Sequence, residues 1–150
     1  GIANANGLVA ALGMGAEGIN MGTRFVATVE APVHQAIKQA LVDHDERHTT
    51  MIFRPLRNTA RVFKNDISLR VNQIEKERKE ALVFEDIKAL VSGLKGKELI
   101  ETGQLHAGIL TASPVMGLIH DIPTCQDLLD RIVNEAEDII QNRLISLIQK

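Results

Sequence analysis

The chain has 150 residues, of which 45% are apolar and 24% charged, and its net charge is −2. That balance suits one soluble globular domain, and near-neutral charge without runs of one sign gives no footprint for nucleic acid or for an anionic membrane surface. The single cysteine, Cys125, excludes an internal disulfide framework and a multi-thiolate metal centre, so a reducing, cytoplasmic setting without a bound metal is expected, and no apolar run approaches the ~18 residues of a membrane span.

In chain order, Gly1-Ile2-Ala3 forms a loop of small residues, and Asn4 or Asn6 can cap a short Ala-rich helix through Leu12 that Gly13 and Gly15 end. Gly18-Ile19-Asn20-Met21 reads as a short buried strand stopped by Gly22. Glu30-Ala31-Pro32 opens the next helix, with Val33, Ile37, Ala40 and Leu41 as its apolar face and the polar run Asp43 to His48 as its end. Thr49 to Phe53 is strand-like and Asn58 to Asn65 irregular, together an excursion on the surface. From Asp66 the pattern turns helical, with Ile67, Val71, Ile74 and Arg78 on one face. Ile87, Leu90, Val91 and Leu94 make a second stripe before Gly96. Gly103 to Gly108 is a loop, and Ile109 to Ile119 a small apolar helix interrupted at Ser113-Pro114. Thr124 with Asp127 starts an amphipathic helix that keeps its spacing to the C-terminus.

Gly13-Met14-Gly15-Ala16-Glu17-Gly18 matches the G-x-G-x-x-G pattern of dinucleotide-binding turns. That pattern works only where the glycines follow a strand and open a helix. Here a helical pattern precedes them, so they read as a helix end and a tight turn. The loops at Gly1 and at Gly22-Thr23 fit an anion better, because each can present N–H groups without a Cβ in the way. If they follow two neighbouring parallel strands, they correspond to the phosphate-binding loops after strands seven and eight of a (β/α)8 barrel. Composition alone leaves them as turn residues.

Several stretches resemble the nitronate monooxygenase family, formerly 2-nitropropane dioxygenases. They are Gly1-Ile2-Ala3, then Ala11-Leu12-Gly13-Met14-Gly15-Ala16-Glu17-Gly18-Ile19-Asn20-Met21-Gly22-Thr23-Arg24-Phe25, Glu30 to His34 with Lys38, Arg57 to Asn65, Glu101 to Gly108 and Gly117 to Pro123. The resemblance covers nearly the whole chain, most specifically residues 1 to 34. It implies an α/β fold: the C-terminal part of a (β/α)8 TIM barrel, from the loop after strand 7 through strand 8, in residues 1–65. A mostly helical tail, residues 66–150, would pack on that barrel within the same catalytic unit, and the N-terminal half of the enzyme would lie outside this chain.

The resemblance further implies flavin mononucleotide (FMN) as cofactor, with its phosphate held by Gly1 and by Asn20, Met21, Gly22 and Thr23. Arg24 is read as a structural ion-pair partner rather than a phosphate ligand. The implied reaction is oxidation of a nitronate by flavin, with O2 completing its conversion to a carbonyl compound and nitrite. The family's histidine lies upstream of the glycine loop, so no catalytic residue is assigned among His34, His44, His48, His106 and His120. Ala112-Ser113-Pro114 stands where many relatives carry Ala-Gly-Gln. Two alternatives stay open: an FMN-dependent enoyl-acyl-carrier-protein reductase using NAD(P)H, and a non-catalytic flavin-binding or interaction fragment. The small-molecule partners expected are the nitronate and O2, with no nucleic acid or membrane, and the oligomeric state is left open.

Overall fold

A computed structural model describes residues 1–148. Its elements are α1 (Ala5–Gly13), α2 (Thr23–Val26), α3 (Gln35–Asp43), β1 (Thr49–Ile52), β2 (Ala60–Phe63), α4 (Asp66–Arg78), α5 (Lys88–Val91), α6 (Gly93–Thr102) and α7 (Cys125–Asp138). The structure is therefore helix-rich, with one antiparallel pair of strands. None of the described helices is long and apolar enough to cross a membrane.

Local signals explain most helix ends. Asn4 caps α1, its side chain accepting from the Gly7 N–H at 3.1 Å, and after the helix Gly15 takes φ +92, a conformation natural only to glycine. The G-x-G-x-x-G run thus sits after a helix, where it cannot form a dinucleotide turn. Gly18 to Met21 forms no strand, because a strand exists by pairing and no ladder partner for it occurs among the described residues.

Helix α3 begins at Gln35 and not at Pro32. The chain before it is held elsewhere: Val29 N–H donates to Pro123 O (2.9 Å) and His34 N–H to Ile100 O (2.9 Å), and the His34 ring then caps the helix by accepting from the Ala36 N–H. Of its expected apolar face Ile37, Ala40 and Leu41 are buried, while Val33 lies before the helix.

The segment from Thr49 to Phe63 is a hairpin core and not a surface excursion. Thr49 pairs with Phe63 and Ile52 with Ala60, and Ile52, Val62 and Phe63 are all buried. Fully burying each such side chain is worth roughly 1.5–3 kcal/mol, which is what ties the hairpin to α4 through Val71. Asn65 fastens α4 at its start: its side chain accepts from the Ser68 N–H (2.9 Å) and donates to the carbonyls of Leu105 and Gly108 (2.5 and 2.8 Å).

The second stripe does not end at Gly96. Ser92 breaks it, and α6 runs through Gly96 to a left-handed Gly103, φ +73. A Cβ on Gly108 would stand 2.5 Å from the Lys95 carbonyl, so glycine is needed there for the loop to lie against α6. Nor is Ile109 to Ile119 a helix: Thr111 bridges Val62, Phe63 N–H donates to Leu110 O at 2.8 Å, and only Pro114–Leu118 coils, as a 3-10 turn. Strand pairing outcompetes the short apolar helix because β2 offers it an open edge. Helix α7 starts as expected, Thr124 Oγ1 accepting from the Asp127 N–H at 3.1 Å, packs on α1, and continues through a π-helical stretch, Ile139–Leu144. The end of the expected helix, at Gln149 and Lys150, lies outside the described residues.

Two apolar clusters hold the chain together. One gathers Ala3, Ala27, Ile37, Leu41, Phe63, Leu99 and Met116, the other Ile52, Val62, Val71, Leu82 and Ile87, and each draws on residues from both sides of residue 65.

Candidate functional site

The loops singled out from the sequence meet at Ser113. Its backbone N–H donates to Thr23 Oγ1 at 3.1 Å, and a Cβ on Gly1 would lie 3.0 Å from Ser113 Oγ and 3.3 Å from the Val115 side chain. Gly1 and Thr23 are thus brought to the two sides of one residue, with a tight approach at Gly1. Asn20 and Gly22 are exposed and Met21 and Thr23 half-buried. A Cβ at Gly22 would meet nothing within 4 Å, so the space over it is open.

The N–H groups of Asn20, Met21, Gly22 and Thr23 donate to no acceptor among the described residues. Gly22 O in turn accepts from Phe25 N–H and Val26 N–H, which turns this stretch into the first turn of α2 and directs the N–H groups away from it. Thr23 spends one lone pair of its hydroxyl on Ser113, which leaves the O–H free to donate. The arrangement is a row of backbone donors plus one hydroxyl, the donor set that a phosphate dianion takes up. A cavity of about 410 Å3 opens beside it, lined in part by Met21, Gly22, Phe25 and Val33.

Arg24 turns away from that row. It is 2% exposed, its Nη2 lies 2.7 Å from Asp121 Oδ1, and its Nη1 donates to Asp121 O at 3.1 Å. Arg131 holds the other carboxylate oxygen at 2.7 Å. Burial works against the Asp121 carboxylate, but the hydrogen bond from Arg131 and the charge of Arg24 outweigh it and hold its pKa below the ordinary carboxylate value. Burial lowers the Arg24 pKa from its ordinary value, with Asp121 offsetting part of the effect. The ion pair fixes α2, and with it the loop before α2, to the segment that leads into α7.

A second tie joins the segment after α2 to the start of α7. Cys125 N–H donates to both Glu30 carboxylate oxygens at 2.9 Å, and this hydrogen bond keeps the Glu30 pKa below its ordinary value. Cys125 Sγ sits 3.5 Å from Thr28 Oγ1, so the one cysteine is a half-buried packing residue.

The five histidines stand apart from the donor row. His34 caps α3, His44 bonds the Ala40 carbonyl (2.8 Å) and packs edge-on against His48 and Phe63, His48 and His106 pair with Asp45 and Asp66, and His120 is exposed. Ser113 and Asp121 are the residues that sequence reasoning left without a role. No local pattern marks either, since their partners lie 90 and 97 residues away along the chain.

These features fall within a family profile: residues 1–135 match that of Nitronate monooxygenase, and the chain belongs to this family of oxidoreductases. Among curated relatives, it is 29% identical over 172 residues to the (3aS,4S,5R,7aS)-5-hydroxy-7a-methyl-1-oxo-octahydro-1H-indene-4-carboxyl-CoA dehydrogenase of Rhodococcus jostii (strain RHA1), covering 91% of this chain and 48% of that protein. It is also 25% identical over 146 residues to a Nitronate monooxygenase of Neurospora crassa, covering 94% of this chain and 37% of that protein. Among solved structures it superimposes on FabK from Thermotoga maritima with a TM-score of 0.84 at 28% identity, over 94% of this chain and 43% of that one. The enoyl reductase domain of MlnA from Bacillus amyloliquefaciens shares the fold, with a TM-score of 0.74 at 16% identity, over 98% of this chain and 48% of that one. The chain therefore spans half or less of the length of each relative it matches.

Proposed function

We propose that the protein is an FMN-dependent nitronate monooxygenase and that this chain supplies part of the flavin phosphate site. The observation that carries the reading is the convergence of Gly1 and Thr23 on Ser113, with the undonated N–H groups of Asn20, Met21 and Gly22 alongside. In the (β/α)8 frame these are the loops after strands seven and eight, and the segment from Gly18 to Met21 is the eighth strand, its ladder completed by the rest of the barrel. Family membership and the likeness to a Neurospora nitronate monooxygenase support the frame. Of the expected tail 66–150, the described residues up to 148 form the helical extension that packs on the barrel.

Within the site each residue has a distinct task. Gly1 lets backbone come close to the phosphate where a side chain would crowd Ser113. Asn20, Met21 and Gly22 contribute N–H donors, and Thr23 contributes a hydroxyl whose direction Ser113 sets. Arg24 gives the loop a rigid base without touching the phosphate. FMN held there would supply the redox chemistry for oxidising a nitronate, with O2, to a carbonyl compound and nitrite. No residue of this chain is assigned to the reacting atoms. The substrate partners are the nitronate and O2, and a reducing cytoplasm is the compartment that fits a lone thiol.

A second reading is favoured by the likeness to FabK: the same phosphate loops would serve a flavin-dependent reductase of a carbon–carbon double bond using NAD(P)H. The visible spectrum decides between them. Under anaerobic conditions, bleaching of a flavin band by a nitronate supports the oxidase-type reading, and bleaching by NAD(P)H alone supports the reductase. A full-length protein that is colourless and takes up no added FMN overturns both and leaves a non-catalytic interaction fragment.

A further inference from the structure

Another cavity lies away from the phosphate loops. It is an open cleft of about 680 Å3 between the β1–β2 hairpin and α4, within the range of about 300–1,000 Å3 usual for small-molecule sites. Three cations line it, Arg54, Arg61 and Lys76, and none of them is ion-paired among the described residues. The one carboxylate in the lining, Glu75, is buried to 8% exposure and spends an oxygen on the Phe53 N–H. In a chain of net charge −2, positive charge is thus concentrated in one concavity.

Of the three cations Arg61 is held in place, while Arg54 and Lys76 reach the cleft as exposed side chains. Met51 and Arg61 face each other across the hairpin, and Arg61 donates to Thr49 Oγ1 at 2.9 Å, which fixes its guanidinium over the strand pair. Arg54 sits in a loop bounded by two non-glycine residues in the left-handed region, Phe53 at φ 67 and Arg57 at φ 54. Such backbone persists only where its surroundings impose it, and it recurs at ligand-binding segments. Met51 from β1 and the half-exposed Leu69 from α4 add apolar atoms to the lining.

We propose that this cleft binds a nucleoside diphosphate group. Two guanidinium forks and an ammonium match the oxygens of a diphosphate, while Met51 and Leu69 supply apolar atoms for a base to pack against. The site is concave and small, which suits a nucleotide better than a membrane surface or a nucleic-acid strand. The inference does not depend on the flavin reading, since no residue is shared between the two sites.

Calorimetric titration of the protein with ADP at low ionic strength tests it. ADP is expected to bind at one site, more tightly than adenosine and more tightly than inorganic pyrophosphate. Replacing the exposed Arg54 and Lys76 together, Arg54→Gln with Lys76→Gln, is expected to weaken ADP about tenfold through loss of two screened charges. Both side chains are exposed, and each single variant read separately should show part of the loss. Protein saturated with FMN should bind ADP unchanged. Equal affinity for adenosine overturns the role of the cations, and equal affinity for pyrophosphate overturns the nucleoside part. An unaffected double variant, or displacement of ADP by FMN, overturns the location.

Discussion

Arg24 and Asp121, 97 residues apart along the chain, stand 2.7 Å apart, with the arginine side chain 3% exposed and the aspartate 42% exposed. The pair makes one rigid piece of the loop that carries Gly22 and Thr23 and the segment that leads into α7. Removing the carboxylate leaves a buried cation without its counter-charge, a loss that reaches about 3–5 kcal/mol in fully buried pairs. Since Asp121 is partly solvated and Arg24 keeps carbonyl partners, Asp121→Ala is expected to cost about 2 kcal/mol, read as a lower urea midpoint at unchanged slope.

The same carboxylate predicts an acid limb. Its folded pKa lies below the unfolded value of about 3.9, so its stabilising contribution is present above that value and is lost as pH falls through the folded pKa. Stability measured from pH 5 downward should fall through this window, and Asp121→Asn should flatten that part of the curve. An unchanged acid limb in the variant would assign the loss to other groups.

Asn65 is buried, and one side chain caps α4 and satisfies two carbonyls of the 103–108 loop. Asn65→Ala leaves the Ser68 N–H and both carbonyls without this partner, at an expected cost of about 2–3 kcal/mol. Hydrogen exchange should show the opening concentrated at the start of α4 and in that loop.

Thr23 separates a phosphate ligand from a mere turn residue. Thr23→Val keeps the volume and removes the hydroxyl, and FMN affinity measured by flavin fluorescence is expected to fall about tenfold, the worth of a hydrogen bond to a charged group. Thr23→Ser, which retains the oxygen that Ser113 binds, should restore most of it. Equal affinity in all three proteins would remove Thr23 from the phosphate site.

Much of the local structure was legible because it is written at short range. The caps at Asn4 and Thr124, the glycine turn at Gly15 and the apolar spacing of Ile37, Ala40 and Leu41 all involve residues within a few positions of one another. The misreadings share one cause. Pro32 had the right chemistry for a first helical position, yet Val29 and His34 are tied to Pro123 and Ile100. The hairpin looked peripheral until α4 covered it, and the run from Ile109 looked helical until β2 offered it a bridge at Thr111.

For the candidate site, the sequence alone determined which backbone can present donors: glycines at 1 and 22, a hydroxyl at 23, and a G-x-G-x-x-G pattern placed on the wrong side of a helix to bind a dinucleotide. Only the tertiary structure decided that Gly1 and Thr23 share Ser113, that Arg24 spends its charge on Asp121, and that Arg54, Arg61 and Lys76 gather without ion-pair partners around one cleft. The reason is physical. Backbone conformation and capping depend on neighbours along the chain, whereas ion pairing, burial and the direction of a hydroxyl depend on neighbours in space, which a linear pattern does not record.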